Sequence, residues 1–388
     1  MKYRKMGKLD WEISVASLGV LRKEETVAAT QEIDLPERIE AIRYAVDNGV
    51  NYINLGFPFY FENPAKACEY IKSALTGGYR ARVKVAVNIP SRGISSQQDL
   101  DNAIDAQLKL FDIDRVDFCL IDGVFRATWD TLKSLDIASW ASKASDSGKV
   151  GYIGLNFHDE PHYLRNIFDT YPQWDVIQME LSMLDYKHHP GVGGFRFSEE
   201  HDIAVIATDI TKAGRLLENI PESVHDILNE SALKMSQGER CVRWTLGFKE
   251  VSSALMSVQS EFSSTEQVEK YLSYIDGFTP EDIGVSERLE ATRIREAYYA
   301  QRDCMCTACR CCMPCPIGID APRLIELIND EKMFSNHKIP QLQYVSEKHQ
   351  NIKCTHCGVC DKQCPRHFPV QRIVNSAYER YVGKKDAV

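Results

Sequence analysis

Short apolar runs alternate with amphipathic stretches from residue 16 to about 275, and this alternation limits the fold of the 388-residue chain more than any other feature. Eight runs are strand-like: Ala16–Val20, Val50–Leu55, Val83–Asn88, Val116–Asp122, Gly151–Leu155, Val176–Glu180, Ile203–Thr208 and Ala254–Val258. Runs that are apolar on both faces suit strands covered on both sides. Helical patterns lie between most of them. Glu37–Asp47 places Ile39, Ile42, Ala45 and Val46 on one face, and Asp99–Leu110 gathers Ala103, Ala106, Leu108 and Leu110. Trp129–Lys149, Tyr163–Tyr171 and the stretch from Pro221 to Gly247 fill further slots. Eight such units in about 260 residues fit a closed (β/α)8 barrel better than an open doubly wound sheet. No GxGxxG or P-loop favours the open form, and Gly191-Val-Gly-Gly194 reads as a flexible loop.

A barrel of this kind keeps its chemistry at the C-terminal ends of its strands. Those ends carry Asn54, Asn88, Asp122, Asn156, Glu180 and Asp209, a polar and acidic set. Each taken alone could simply cap the helix that follows. Six together point to a working mouth. Asp122 with Glu180 or Asp209 could form an acid/base pair or hold a cation.

Composition narrows the class. The chain is 44% hydrophobic and 26% charged, as a protein with a real core should be. A net charge of −9 argues against a nucleic-acid footprint. No apolar run reaches the length of a membrane span, and the charged start from Met1 to Trp11 has no apolar segment behind it, so the expected location is cytoplasmic.

Ten of the 13 cysteines lie between Cys304 and Cys364, a composition break that marks a boundary just before Cys304. In a reducing compartment such a cluster points to metal rather than disulfides. It contains Cys306-x2-Cys309-x2-Cys312-x2-Cys315-Pro316 and Cys354-x2-Cys357-x2-Cys360-x3-Cys364-Pro365. Zinc also binds Cys-x2-Cys pairs, but two runs of four, each closed by Cys-Pro, favour iron–sulfur. Both resemble the bacterial ferredoxin run, in which the fourth cysteine ligates the other cluster. The resemblance implies two 4Fe-4S clusters, one on Cys306, Cys309, Cys312 and Cys364, the other on Cys354, Cys357, Cys360 and Cys315. Cys304 and Cys311 are left as bystanders. The 38 residues from 316 to 353 include helical patterns at Pro322–Asp330 and Ile339–Lys348, so the tail resembles α-helical ferredoxins. Pro280–Arg302 reads as a helix with Ile283, Val285, Leu289, Ile294 and Ala297 on one face.

Several segments of the first 280 residues resemble the aldo-keto reductase superfamily, in particular a subgroup fused to a ferredoxin-like tail. Met1-Lys-Tyr-Arg-Lys-Met-Gly-Lys-Leu9 is similar to its opening hairpin, and Asn48-Gly-Val-Asn-Tyr-Ile-Asn54 to its G-x-N-x-x-D segment. Gly148-Lys-Val-Gly-Tyr-Ile-Gly154, Phe157-His-Asp159, Gln178 and Glu266-Gln-Val-Glu269 extend the match. The resemblance implies a barrel over residues 1–280, a connecting helix over 281–303 and a helical ferredoxin-like domain over 304–388.

It also implies a hydride transfer from a nicotinamide, with a Tyr as acid tuned by Asp, Lys and His. Carried over one by one, the Asp falls on Asn54, the Tyr on Phe59, the Lys on Asn88 and the His on Asp122. Tyr60 is one residue from the acid's place. Phe59 has no proton to give and Asn88 no charge to lower a tyrosine pKa. The cofactor positions implied by the family are Asn156, Gln178 and Lys212. The stretch from Val258 to Gln267, where the family grips a 2′-phosphate, has two Glu and no Lys or Arg. NADP(H) is therefore disfavoured and NAD(H) stays open.

The leading expectation is an iron–sulfur oxidoreductase that exchanges electrons with a barrel-bound small molecule or a redox partner protein, in an anaerobic or microaerobic setting. One alternative is an NAD(P)H-dependent reductase using Tyr60 or Asp122 as acid. Others are a lyase or hydrolase working through Asp122 and Glu180, and an electron carrier with an inert barrel. His158 and His162 stand i, i+4 on an expected helix, which is metal-ligand spacing, and His188 and His189 form a loop pair; both pairs read as ordinary surface histidines rather than ligands. His356 and His367 stand beside cysteines, where hydrogen bonds can tune a cluster.

Overall fold

The computed structural model describes residues 1–21, 35–187, 190–257, 264–276 and 283–382. They divide into two compact units, residues 1–214 with 233–291 and residues 215–232 with 292–388. Among the described residues no helix is long and apolar enough to cross a membrane.

The first unit is a closed barrel of eight parallel strands: β3 (Ala16–Gly19), β4 (Tyr52–Asn54), β5 (Lys84–Pro90), β6 (Val116–Val124), β7 (Val150–Phe157), β8 (Val176–Glu180), β9 (Ala204–Thr208) and β10 (Val251–Ser257). They follow chain order around the ring and β10 closes on β3. All eight anticipated runs fall on these strands; Val258 lies outside the described residues. An antiparallel hairpin, β1 (Tyr3–Lys5) with β2 (Glu12–Ser14), precedes the barrel. Met6, Leu9 and Ile13 from this opening segment pack with Tyr52, Ala86, Phe118, Leu120, Val176, Ala204 and Ile206 of the lumen. The hairpin therefore plugs one end of the barrel with the same apolar core that fills it.

The helices differ from the expected pattern in four places. Trp129–Lys149 is two helices, Arg126–Ser134 and Ile137–Asp146, because Asp136 adopts a left-handed φ of 54° and caps the second by accepting from Ser139 N–H. The stretch from Pro221 to Gly247 likewise splits into Glu222–Glu230 and Gln237–Leu246, the second capped by Ser236. Gly193 and Gly194 begin a helix, Gly193–His201, rather than a flexible loop. A side chain on Gly193 would meet Pro161 at 2.7 Å, and one on Gly194 would meet Pro190 at 2.7 Å. The helix expected at Pro280–Arg302 spans Val285–Tyr299, with 280–282 outside the described residues. Ile283 and Ile294 are buried, but Val285 and Leu289 face solvent. Glu287 pairs with Arg243 at 2.6 Å and Glu290 pairs with Arg240, so the inward face carries these ion pairs as well as Ala291, Ile294 and Tyr298.

The second unit is helical. Ala321–Met333, Lys338–Ser346 and Val370–Tyr381 surround a core of Leu324, Ile325, Leu327, Ile328, Tyr344, Val374, Ala377 and Tyr381, which Cys304 and Cys312 join. The first two match the anticipated helices; Val370–Tyr381 was not foreseen. Asn329 grips the main chain of Cys304 from both sides, accepting from its N–H at 3.2 Å and donating to its carbonyl at 2.7 Å. Arg215 joins this unit through Asp330 at 2.7 Å, with its guanidinium over the Phe334 ring.

Candidate functional site

Side chains two apart on a strand point to the same face. Tyr52, Ala86, Leu120 and Val176 fill the lumen, so the next inward positions are Asn54, Asn88, Asp122 and Gln178, and one further step on β8 gives Glu180. On β7 the same series runs through Gly154 to Asn156. A side chain on Gly154 would strike Val176 at 2.4 Å and Leu120 at 2.8 Å, so glycine is what fits there. Asn156 stands in register with Gln178 and shares its direction. The polar mouth is thus a consequence of strand alternation.

Its floor is neutral. Asn54 is almost fully buried and donates from Nδ2 to Asn88 Oδ1 at 3.1 Å and to Gln178 Oε1 at 3.2 Å. Its own Oδ1 accepts from Gly56 N–H at 2.8 Å. Every polar atom of Asn54 is used, which is what keeps such a group inside a core.

Above the floor the mouth is charged. Asn156 Nδ2 donates to Asp122 Oδ1 at 2.6 Å. His158 Nδ1 meets Glu180 Oε1 at 3.1 Å. The Lys212 ammonium lies 2.8 Å from Asp185, 3.1 Å from Asp209 and 3.8 Å from Glu180. Burial alone would lower the His158 pKa, but the Glu180 hydrogen bond and the charges of Glu180, Asp122 and Asp209 outweigh it and the net shift is upward. Tyr60 is pushed up to about 12, first by burial and then by the charge of Asp122. Its ring meets Phe57 edge-on at 4.9 Å, and Phe57 meets Phe59 at 5.5 Å, forming an aromatic ledge beside the acids.

The expected mouth residues therefore fall into linked groups: Asn54 with Asn88 and Gln178, Asp122 with Asn156 and near Tyr60, and Glu180 with Asp209 and Lys212. His158 is a correction. It follows β7 and bonds Glu180, whereas His162 sits in a short 3-10 turn, so the two do not share a helix. Its place two residues beyond Asn156 was the available signal. Asp185 lies in the loop after β8, and no motif marked it. His188, His189 and residues 258–263 lie outside the described residues.

In the second unit Cys315, Cys354, Cys357 and Cys360 line one pocket together with Cys312, Ile317, Ile319 and Val374. Cys306, Cys309 and Cys312 lie in one another's field, and Cys364 acts on Cys306 and Cys312. Main-chain N–H groups of Ala308 and His356 point at the sulfurs of Cys306 and Cys354, each at 3.4 Å. Left-handed φ values at Ala308 (52°) and His356 (58°) curl the loops this way. Burial, with Cys306 beside Cys312 and Asp361 beside Cys360, pushes both thiols up to about 11. Holding them as thiolates needs a cationic partner such as iron. The donor set, the N–H···S bonds and the apolar wall fit iron–sulfur clusters. Cys304 is buried in the helical core and Cys311 is exposed beside Cys309.

An eight-stranded parallel barrel with a polar mouth, followed by a helical unit rich in paired cysteine runs, defines a class: a barrel enzyme scaffold carrying an iron–sulfur module. The model of the aldo/keto reductase family matches residues 23–284, and that of a 4Fe-4S dicluster domain matches residues 305–369. The chain belongs to the aldo/keto reductase family. Solved aldo-keto reductases share the fold. One from Bacillus halodurans, in its holo form, is 17% identical with a TM-score of 0.60, covering 76% of this chain and 96% of that one. Another, from Klebsiella pneumoniae in complex with NADPH, is 16% identical with a TM-score of 0.57, covering 75% and 95%. No curated protein matches the sequence. The two domains together mark an iron–sulfur oxidoreductase.

Proposed function

We propose that this oxidoreductase works without the hydride-transfer machinery its family resemblance implies. The observation that carries the reading is the Asn54–Asn88 hydrogen bond at 3.1 Å, at the two positions where the resemblance places an Asp and a Lys. Two amides satisfy the same buried space with no charge. Neither can depress a tyrosine pKa, and the residue at the acid's place is Phe59. Tyr60 is shifted the wrong way for a proton donor near neutral pH. General acid catalysis is worth about 10²–10⁴-fold, and this mouth does not supply it in the family's manner.

Cys306, Cys309, Cys312 and Cys364 would hold one cluster, and Cys354, Cys357, Cys360 and Cys315 the other. The grouping is supported by the pocket that all four of the second set line, which Cys312 also borders, and by the mutual fields of the first. Two 4Fe-4S clusters bound there supply one-electron transfer, to or from a small molecule in the barrel or a redox partner protein. The chain's own contribution is to hold the thiolates, bury them against Ile317, Ile319 and Val374, and donate N–H groups to sulfur. At the mouth, Lys212 is committed to three carboxylates. A pyrophosphate there would have to displace them.

An anaerobic titration of cluster-loaded protein with NADPH and then NADH tests the reading, following nicotinamide fluorescence and cluster absorbance. Neither nucleotide should bind at millimolar concentration. Tight binding with bleaching of the clusters overturns it and restores a nicotinamide reductase.

A further inference from the structure

We propose that the barrel mouth binds an organic ammonium cation, its charged head between the Asp122 carboxylate and the Asn156 side-chain oxygen and its body on the ledge of Phe57, Phe59 and Tyr60. This names the class of the barrel-bound small molecule and rests on the reading that the mouth holds one.

The first observation is an inequality among the mouth carboxylates. Glu180, Asp185 and Asp209 share the ammonium of Lys212, and Glu180 also has His158. Asp122 has no ion-pair partner among the described residues; its side chain accepts only the Asn156 amide at 2.6 Å. The second observation is independent of charge. Asn156 is 9% exposed, and its Oδ1 is buried without a hydrogen-bond partner. Leaving such an acceptor unpaired costs about 1–3 kcal/mol. Register with Gln178, whose side chain reaches Asn54 across the lumen, turns Asn156 inward. Because its Nδ2 is committed to Asp122, its oxygen lies beside that carboxylate. Two adjacent acceptors, one of them anionic, call for a ligand with more than one N–H and a positive charge.

A divalent ion does not fit as well. Asp122 brings a single carboxylate with one amide beside it, too few hard oxygen donors for such an ion. Where three carboxylates do converge, the group between them is already an ammonium, that of Lys212. The aromatic ledge adds the rest of the ligand's chemistry. Phe59 and Tyr60 are each 39% exposed although both are large and apolar. The field of Asp122 reaches the Tyr60 hydroxyl and outweighs that of Arg92, which acts the other way. Aromatic faces attract cations and repel anions. A carboxylate ligand at this place would meet the charge of Asp122, which no cation pairs among the described residues.

The probe is benzylamine, compared at neutral pH with benzyl alcohol and benzoate by calorimetry on the full-length, cluster-loaded protein under anaerobic conditions. Benzylamine should saturate one site, at least about tenfold tighter than benzyl alcohol, and benzoate should not bind. Asp122→Asn and Asn156→Leu should each weaken benzylamine by about tenfold or more, with circular dichroism and iron content unchanged. Benzyl alcohol or benzoate binding as well as benzylamine overturns the proposal, as does the lack of a saturable amine site. So does unchanged affinity in a folded Asp122→Asn. The three-probe comparison on the unaltered protein decides the matter even if a variant misfolds. Cluster bleaching by NADPH alongside amine binding would sink the reading that nicotinamide hydride transfer is lost and leave this one standing; amine failure without bleaching would do the reverse.

Discussion

The barrel lumen and the cysteine unit reach order by different means. In the lumen each side chain is fixed by others like it: Phe118 lies among the rings of Tyr52, Tyr152 and Trp11, at 5.4, 5.0 and 6.0 Å, inside a closed parallel ladder. In the cysteine unit the loops at 304–320 and 352–358 have no helix or strand assigned. They are shaped by left-handed residues, by Asn329 on Cys304, and by N–H groups aimed at sulfur. The barrel carries its stability in its own packing. The cysteine loops have eight candidate ligand thiols where a core would be. A barrel of this kind can exchange its mouth residues and remain a barrel, while the cysteine unit has little freedom to lose a thiol.

The largest effect should therefore come from removing iron. Chelation under reducing conditions should cost the cysteine unit on the order of 10 kcal/mol, the scale on which small domains fold around a metal. Limited proteolysis followed over time should show cleavage within 304–364 while a fragment carrying the barrel persists. A tail that stays resistant after its clusters are gone would show that the three-helix core suffices, and the contrast would fail. The reciprocal change is Phe118→Ala, which should destabilise the barrel by about 3–5 kcal/mol through the cavity it leaves. Iron content should stay unchanged in that variant, and chemical denaturation would read the loss.

The same contrast governs how much was legible in the sequence. The barrel was readable because eight two-faced apolar runs can be covered only by helices on one side and each other on the other. The cysteine runs were readable because ligand spacing is local. Properties that depend on register across strands were hidden. Nothing near His158 in the chain announces Glu180; the pair exists because β7 and β8 are aligned side by side. Nothing near Asn54 announces Asn88 and Gln178 as its acceptors. Val285 and Leu289 misled because the inward face of their helix also takes Glu287 and Glu290, paired with Arg243 and Arg240, which an apolar pattern does not count. Gly193 and Gly194 misled because a close approach to Pro161 and Pro190 looks, in one dimension, like a flexible loop.

A smaller effect probes the polar floor directly. Asn54→Ala deletes a donor to two amide oxygens and an acceptor for Gly56 N–H, and should cost about 1–3 kcal/mol. Asn54→Asp should cost less, because the carboxylate keeps the Gly56 bond and the Asn88 and Gln178 amides can turn their donors toward it. Thermal unfolding of the two variants orders them. An Asp variant less stable than the Ala variant would mean that the floor rejects charge outright, which would strengthen the contrast with the family's ion pair.

The smallest effect tests whether the mouth's charges act on His158 as its surroundings imply. The folded pKa of His158 is raised above its ordinary value. Its pairing with Glu180 then adds stability that is full below the unfolded value of about 6.5 and fades as pH rises through the higher folded value. His158→Gln keeps a donor for Glu180 but cannot carry charge. The variant should lose about 1 kcal/mol or less at pH 6, given a pair that is roughly one-third exposed, and almost nothing at pH 9. Melting temperatures measured at both values decide it. A deficit that grows toward pH 9 would mean that His158 is held neutral, and that desolvation, not the ring of Glu180, Asp122 and Asp209, sets its protonation.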